Sequence, residues 1–159
     1  MDSHITLTKQ LIELQSDHSS SSAVIERLFE KLHAHQYVKE SFLEAVLKRE
    51  EVYPTGLPLA KTGVAIPHTD SEHVLKPAIA VSILKNPVIF SMMGSPDTKI
   101  NVDIVLMLAI SDPQKQLSML QHLMNVFQDE QAMEAIKNVK TEEKIVQLLN
   151  DKLQIMEMN

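Results

Sequence analysis

Histidines are the side chains of this sequence best suited to nucleophilic or metal chemistry, because its 159 residues include seven histidines and no cysteine. His33 and His35 lie two apart on a predicted helix and point to different faces, so they do not form a metal pair. His68 and His73 lie five apart, a spacing that matches no standard zinc pattern. We therefore predict no metal site and no cofactor. We place five histidines on the solvated surface: His4, His18, His33, His35 and His73.

His68 differs from the other histidines because it follows a short apolar run, Gly63-Val64-Ala65-Ile66, that stops at Pro67. The run predicts a buried strand that delivers His68 to the point where the chain leaves the sheet. Reactive side chains are often held at such strand ends, within reach of a partner. A neutral imidazole there could use one unprotonated nitrogen as a nucleophile while a hydrogen bond holds its other N–H. By position alone, His68 also fits a structural loop histidine.

The length and composition predict one folded domain over 1–159 with its core at about 5–150. The formal net charge of −6 and the lack of a basic tract exclude a nucleic-acid-binding protein. We find no signal peptide, and no apolar run approaches the roughly 20 residues that a bilayer requires. The absence of cysteine fits a reducing compartment, and we expect a cytoplasmic protein.

Apolar residues at helical spacing predict helices near both ends of the chain. A serine cap within Ser19–Ser22 predicts a helix over about 21–34, and a second helix begins near Ser41 and ends before the turn Tyr53-Pro54-Thr55-Gly56. A long helix follows Asp112-Pro113, and the last one opens at Thr141. The apolar stripe predicted for the long helix consists of Leu117, Leu120, Leu123, Met124 and Phe127, followed by Ala132, Met133 and Ile136.

The middle of the chain predicts a sheet. Strands are expected at 64–66, 78–84 and 87–90, and the unbroken apolar run at 102–110 is typical of a central strand covered on both faces. Since helical segments flank this region, we predict an α+β fold, a three-layer α/β/α sandwich with a small mixed sheet flanked by helices.

The segment Gly63-Val64-Ala65-Ile66-Pro67-His68-Thr69 resembles the active-site signature of the fructose/mannitol type (type 2) of EIIA domains in the bacterial phosphoenolpyruvate-dependent sugar phosphotransferase system. Lys48-Arg49-Glu50-Glu51 looks like the Arg-Glu pair of that family, and Leu117 to Asp129 looks like its long helix. The resemblance implies that His68 accepts a phosphoryl group from the phosphohistidine of HPr and passes it to a cysteine of an EIIB partner. It also implies that Arg49, by itself a solvated helix-end charge, supplies a cation to the phosphoryl group.

The sequence departs from the best-known family members, which place a second histidine near the first, at the start of the long helix. Alignment with that helix puts Gln116 at the auxiliary position and not His122. The two residues are six apart, about 600° of helix, so they lie on different faces. A glutamine amide can donate to a phosphoryl oxygen but carries no charge. We name Gln116 as the third site residue and leave His122 as the alternative.

Tyr53-Pro54-Thr55-Gly56-Leu57 and the His68 signature are together most similar to galactitol-type EIIA proteins. The implied function is a phosphocarrier acting in trans on HPr and EIIB, and indirectly on a membrane EIIC component, for uptake of a sugar or polyol such as galactitol. The alternatives are a regulatory EIIA-like protein that moves no sugar, and a binding module that has lost phosphotransfer. Met92-Met93-Gly94 could form part of a docking surface for successive partners.

Overall fold

The computed structural model describes residues 5–153, in which five strands and five α-helices follow the order strand, two helices, four strands, three helices. Short capping interactions fix several helix starts, since the side chains of Ser20, Asp112 and Asp129 each accept a hydrogen bond from a first-turn N–H. The elements are β1 (Ile12–Ser16), α1 (Ser21–Ala34), α2 (Phe42–Val52), β2 (Gly56–Pro58), β3 (Gly63–Ala65), β4 (Ala78–Met92), β5 (Ser95–Ala109), α3 (Pro113–Phe127), α4 (Glu130–Lys137) and α5 (Glu142–Leu153).

The sheet is mixed, and β5 lies inside it. Strands β4 and β5 form a long antiparallel pair, β3 runs parallel to the other side of β5, and β1 runs parallel to β4 at the edge. Ile104 therefore pairs with Ile83 of β4 and with Val64 of β3. This arrangement confirms the prediction that the run at 102–110 is a covered central strand.

Helices cover both faces of the sheet. Side chains of α1 and α2 pack on one face against Ala80, Val105 and Met107, whereas α3, α4 and α5 pack on the other face against Ile104 and Leu106. The alternation of inward side chains along β5 supplies both cores. The predicted α+β fold with three layers is confirmed. No helix within residues 5–153 is long and apolar enough to cross a membrane.

The strand predictions need three corrections. The runs at 78–84 and 87–90 belong to the single strand β4, in which a register irregularity between Ile83 and Val88 accommodates Pro87. Strand β1 was absent from the prediction because its inward polar groups are satisfied by partners distant in sequence, such as Ser16 by Ser82. Strand β2 was not predicted, and its first residue, Gly56, was placed in the turn that begins at Tyr53; the strand exists through pairing with β3.

The predicted starts of α1, α2, α3 and α5 agree with the structure, but α3 ends at Phe127 and the residues from Glu130 form a separate helix, α4. The apolar stripe predicted for α3 also differs from the observed one. Leu117 is 58% exposed and Met124 is 38% exposed, although both were assigned to the buried side. The buried face instead follows Met119, Leu123 and Val126, spaced by four and three residues. Leu117 is consequently an exposed apolar side chain directly after Gln116.

Candidate active site

The chain leaves the sheet at the end of β3, and His68 lies three residues beyond that strand. Gly63 allows β3 to approach β5 closely, since a Cβ at this position would lie 1.8 Å from the carbonyl oxygen of Asn101. Beyond the strand, the N–H of Leu108 donates to the Pro67 carbonyl at 3.1 Å and fixes the exit of the chain. His68 is 8% exposed, so only a small part of the side chain meets solvent.

One ring nitrogen of His68 is held by the backbone. Nδ1 lies 2.8 Å from the carbonyl oxygen of Ile66, and because a carbonyl only accepts, Nδ1 carries the proton. Nε2 forms no hydrogen bond to the described residues and is not sealed from solvent. The unprotonated lone pair therefore belongs to the nitrogen that a partner can reach.

Burial lowers the pKa of His68 because it penalises the charged imidazolium. The hydrogen bond to Ile66 opposes this shift, and the positive charge of Arg49 lowers the pKa further. The ring is consequently neutral at neutral pH, the form in which Nε2 is a nucleophile.

Arg49 lies in the last turn of α2, close enough to His68 for its charge to act on the ring. Its Cζ atom lies 5.5 Å from the ring centre of Tyr53, a cation–π contact that orients the guanidinium. Its Nε is buried and has no hydrogen-bond partner among the described residues. Since buried donors are normally satisfied, this N–H is available to an incoming anion.

Gln116 lies in the first turn and a half of α3, where its Nε2 donates to the carbonyl oxygen of Thr69 at 3.4 Å. This contact brings Gln116 to the residue next to His68. Its Oε1 is buried and has no hydrogen-bond partner. In the described part of the chain, two buried side-chain polar atoms lack a partner, and they are Nε of Arg49 and Oε1 of Gln116. His122 is half-buried further along α3 and forms no hydrogen bond with Thr69.

Glu50 is a feature that the sequence analysis did not assign to the site. Its carboxylate accepts hydrogen bonds from the backbone N–H of Thr55 at 2.9 Å and from the Thr55 hydroxyl at 3.0 Å. Burial raises the pKa of Glu50 to about 7, although both Thr55 bonds act in the opposite direction. The signal that the sequence offered for Glu50 was its position directly after Arg49 and five residues before Thr55.

The raised pKa of Glu50 predicts a stability that falls as pH rises. The folded protein binds the Glu50 proton more tightly than the unfolded chain, so the stabilisation is complete below about pH 4.5 and is lost as pH rises through about 7. The quantity to compare is the unfolding free energy of the wild type minus that of Glu50→Gln. We expect this difference to decrease by about 3 kcal/mol as pH rises from about 4.5 through about 7. Urea unfolding of both proteins at several pH values measures this difference, and a flat difference would contradict the pKa assignment.

The other histidines stand apart from this group. His33 and His35 are exposed as predicted, and His73 is half-buried with its Nδ1 2.8 Å from the Ser41 hydroxyl. For His18 the surface prediction is wrong, because its side chain is 15% exposed and bonds to Glu13 at 2.9 Å. His4 lies outside the described residues. Within residues 5–153, no three His, Asp or Glu side chains converge as metal ligands.

Comparison with known proteins supplies a family. The family model described as "Phosphoenolpyruvate-dependent sugar phosphotransferase system, EIIA 2" matches residues 5–152. The galactitol-specific EIIA component of Escherichia coli (strain K12) is 29% identical over 115 residues, which cover 72% of this chain and 76% of that protein.

Two solved structures share the fold. The complex of enzyme IIAMTL and phosphorylated enzyme IIBMTL from Escherichia coli matches with a TM-score of 0.75 and 22% identity, covering 92% of this chain and 99% of that chain. Nitrogen regulatory protein IIA-Ntr from Neisseria meningitidis matches with a TM-score of 0.71 and 23% identity. The match covers 89% of this chain and 94% of that chain.

Proposed function

We propose that His68 is the phosphoryl carrier of this protein, because the chain belongs to the EIIA 2 family of the phosphoenolpyruvate-dependent sugar phosphotransferase system, a family of phosphocarriers. The observation that supports this most is the hydrogen bond from Nδ1 of His68 to the Ile66 carbonyl, which leaves Nε2 as the nucleophile in a neutral ring. Residues 1–159, with a core at about 5–150, would form one domain for this task.

In the proposed reaction, the Nε2 lone pair of His68 forms an N–P bond while the N–P bond in the phosphohistidine of HPr breaks. The donor imidazole keeps the electron pair of the broken bond. In the second step, a thiolate of an EIIB component forms an S–P bond and the Nε2 electron pair returns to His68. Each step needs charge stabilisation more than proton transfer, because the loose transition state spreads charge over the phosphoryl oxygens.

Arg49 and Gln116 are the proposed stabilising groups. The unsatisfied Nε–H of Arg49 would donate to a phosphoryl oxygen. The hydrogen bond from Nε2 of Gln116 to the Thr69 carbonyl is long. Rotation of the Gln116 amide would break it and let the same Nε2–H group donate to a phosphoryl oxygen. Gln116 would then contribute a neutral donor where better-known members have a histidine.

Exposed apolar side chains close in sequence to these residues or in contact with them support a docking role. Tyr53 is 64% exposed and contacts Arg49, and Leu117 is 58% exposed and follows Gln116. Met93 is 38% exposed and donates its backbone N–H to the carbonyl of Gly56, the residue after Thr55. Exposed apolar residues beside a site often mark interfaces. The complex of enzyme IIAMTL with phosphorylated enzyme IIBMTL supports an EIIB partner, and the proposed HPr donor implies a cytoplasmic location.

Galactitol is the proposed substrate of the transport system, on the support of the galactitol-specific relative. No sugar would touch this subunit, and EIIC would act only through EIIB. The likeness to IIA-Ntr favours a second candidate, a regulatory protein whose phosphorylation state controls a partner. Both candidates use the same chemistry on His68 and differ in the acceptor.

Incubation with phosphoenolpyruvate, enzyme I and HPr, followed by intact-mass measurement, tests the proposal. We expect a gain of one phosphoryl group, which disappears when an EIIB component is added with membranes containing EIIC and galactitol. Formation of galactitol phosphate supports transport. Phosphorylation without onward transfer to any EIIB supports regulation, and no mass gain contradicts both.

Gln116→His is expected to make phosphotransfer more dependent on pH between about 6 and 8, because an imidazole gains charge in this range and the amide does not. The rate of phosphorylation and the lifetime of phosphohistidine, measured for both proteins across this range, provide the comparison. Identical profiles, together with a parent profile altered by His122→Ala, would assign the auxiliary role to His122.

A further inference from the structure

A chain of hydrogen bonds connects Glu50 to the ring of His68. The Thr55 hydroxyl donates its single proton to Glu50 Oε1 at 3.0 Å and accepts from the backbone N–H of Ile66 at 3.1 Å. The carbonyl of Ile66 accepts the Nδ1 proton of His68 at 2.8 Å. Thr55 is 3% exposed and Ile66 is 1% exposed, so no solvent competes for these bonds.

The groups at the two ends of Thr55 determine the direction of this chain. The carboxylate of Glu50 only accepts and the backbone N–H of Ile66 only donates, so the Thr55 proton points to Glu50 and a Thr55 lone pair faces Ile66. The second carboxylate oxygen holds the Thr55 N–H and fixes the same residue from the backbone side. The backbone of Ile66 is consequently fixed on one side by Thr55 and presents its carbonyl to His68.

We propose that Glu50 is a positioning residue for phosphotransfer: through Thr55, its carboxylate holds the Ile66 backbone so that the Ile66 carbonyl stays on Nδ1 and fixes the ring orientation and the Nδ1–H tautomer of His68. This inference rests on the proposed function of His68. It adds a residue that contacts neither the phosphoryl group nor the ring.

The burial of Glu50 argues against a role in stability alone. A desolvated carboxylate costs folding free energy, as the raised pKa of Glu50 indicates, and an apolar residue of similar size would avoid that cost. The two hydrogen bonds that Glu50 accepts from Thr55 therefore support a role in placing His68.

Glu50 also has a route for proton exchange. It lines a cleft of about 240 Å³ together with Glu51 and with residues of α1 and β4. Glu51 is the other charged residue that lines this cleft. Lys99 donates to the hydroxyl of Ser91, which also lines it, at 2.8 Å, and Arg49 precedes Glu50 in α2. A protonated Glu50 would donate as well as accept, and the direction of the bond with Thr55 would no longer be fixed.

Glu50→Gln tests the proposal, with Glu51→Gln as the matched control because Glu51 is exposed and lines the same cleft. We expect Glu50→Gln to lower kcat for phosphorylation by phospho-HPr by about 10- to 100-fold with little change in KM, the scale of a misplaced reacting group. The phosphorylation rate of the wild type should decline as pH falls through 7. The rate of Glu50→Gln should not show this decline near pH 7. Nitrogen NMR of the unphosphorylated proteins should show one Nδ1–H tautomer of His68 in the wild type and a mixture in Glu50→Gln.

Thr55→Val breaks the same chain at its next link and Thr55→Ser restores the hydroxyl, which keeps the proposal testable if Glu50→Gln unfolds. We expect the valine variant to resemble Glu50→Gln and the serine variant to recover the rate. Wild-type rates and a single tautomer in both Glu50→Gln and Thr55→Val would overturn the positioning role alone. A wild-type protein that takes no phosphoryl group would instead refute the proposed function.

Discussion

His68→Ala is expected to abolish phosphorylation of this protein by phospho-HPr while leaving the fold intact. The reason is that Nε2 of His68 would form the bond to phosphorus, and alanine has no atom that could replace it. Intact-mass measurement after incubation with the complete phosphoryl donor system shows the effect, because the parent should gain one phosphoryl group and the variant none.

Two further variants make that result specific. His68→Gln fills more of the space left by the ring and should also remain unphosphorylated, which separates loss of the nucleophile from a packing defect. His73→Ala removes a half-buried histidine outside the site and should keep the parent mass gain. A phosphoryl group on His68→Ala would mean that another residue carries it.

Arg49→Ala is expected to fold normally and to slow phosphotransfer by about 10²- to 10³-fold, the scale for loss of one preorganised charge-stabilising donor. The donor in question is the buried Nε–H without a partner in the described residues. Single-turnover transfer from phospho-HPr measures the rate directly.

Lys48→Ala is the matched control for Arg49→Ala, because Lys48 is the preceding residue of α2 but pairs with Glu44 on the surface. It should leave the rate unchanged. Arg49→Lys should rescue only part of the loss, since an ammonium cannot reproduce the planar donors of a guanidinium. An unchanged rate in Arg49→Ala would return Arg49 to the role of a solvated charge.

Local patterns were sufficient to predict the helices and the position of His68. The serine cap defined α1 at Ser21–Ala34, and the glycine and proline that bound β3 placed His68 at the strand exit. The helical turn count also placed Gln116 on a different face from His122, and Gln116 does contact Thr69. The helix starts, the strand exit and the separation of Gln116 from His122 each depend on residues close together in the chain.

Features that depend on distant partners could not be predicted. Strand β2 exists because Gly56 pairs with Ala65, and the Glu50 chain forms because Thr55 reaches Ile66, eleven residues away. The exposure of Leu117 depends on which face of α3 meets the sheet, and hydrophobicity alone favours burial. The pKa of Glu50 likewise follows from tertiary burial.

Nε2 of His68 is expected to be the atom that carries the phosphoryl group. The most direct measurement is phosphorus–nitrogen NMR of the phosphorylated protein labelled with ¹⁵N in histidine, recorded under alkaline conditions that preserve phosphohistidine. The hydrogen bond from Nδ1 to Ile66 predicts a coupling between phosphorus and Nε2 of His68, lost in His68→Gln. A coupling to Nδ1 of His68, or to a nitrogen of any other histidine, would contradict the account.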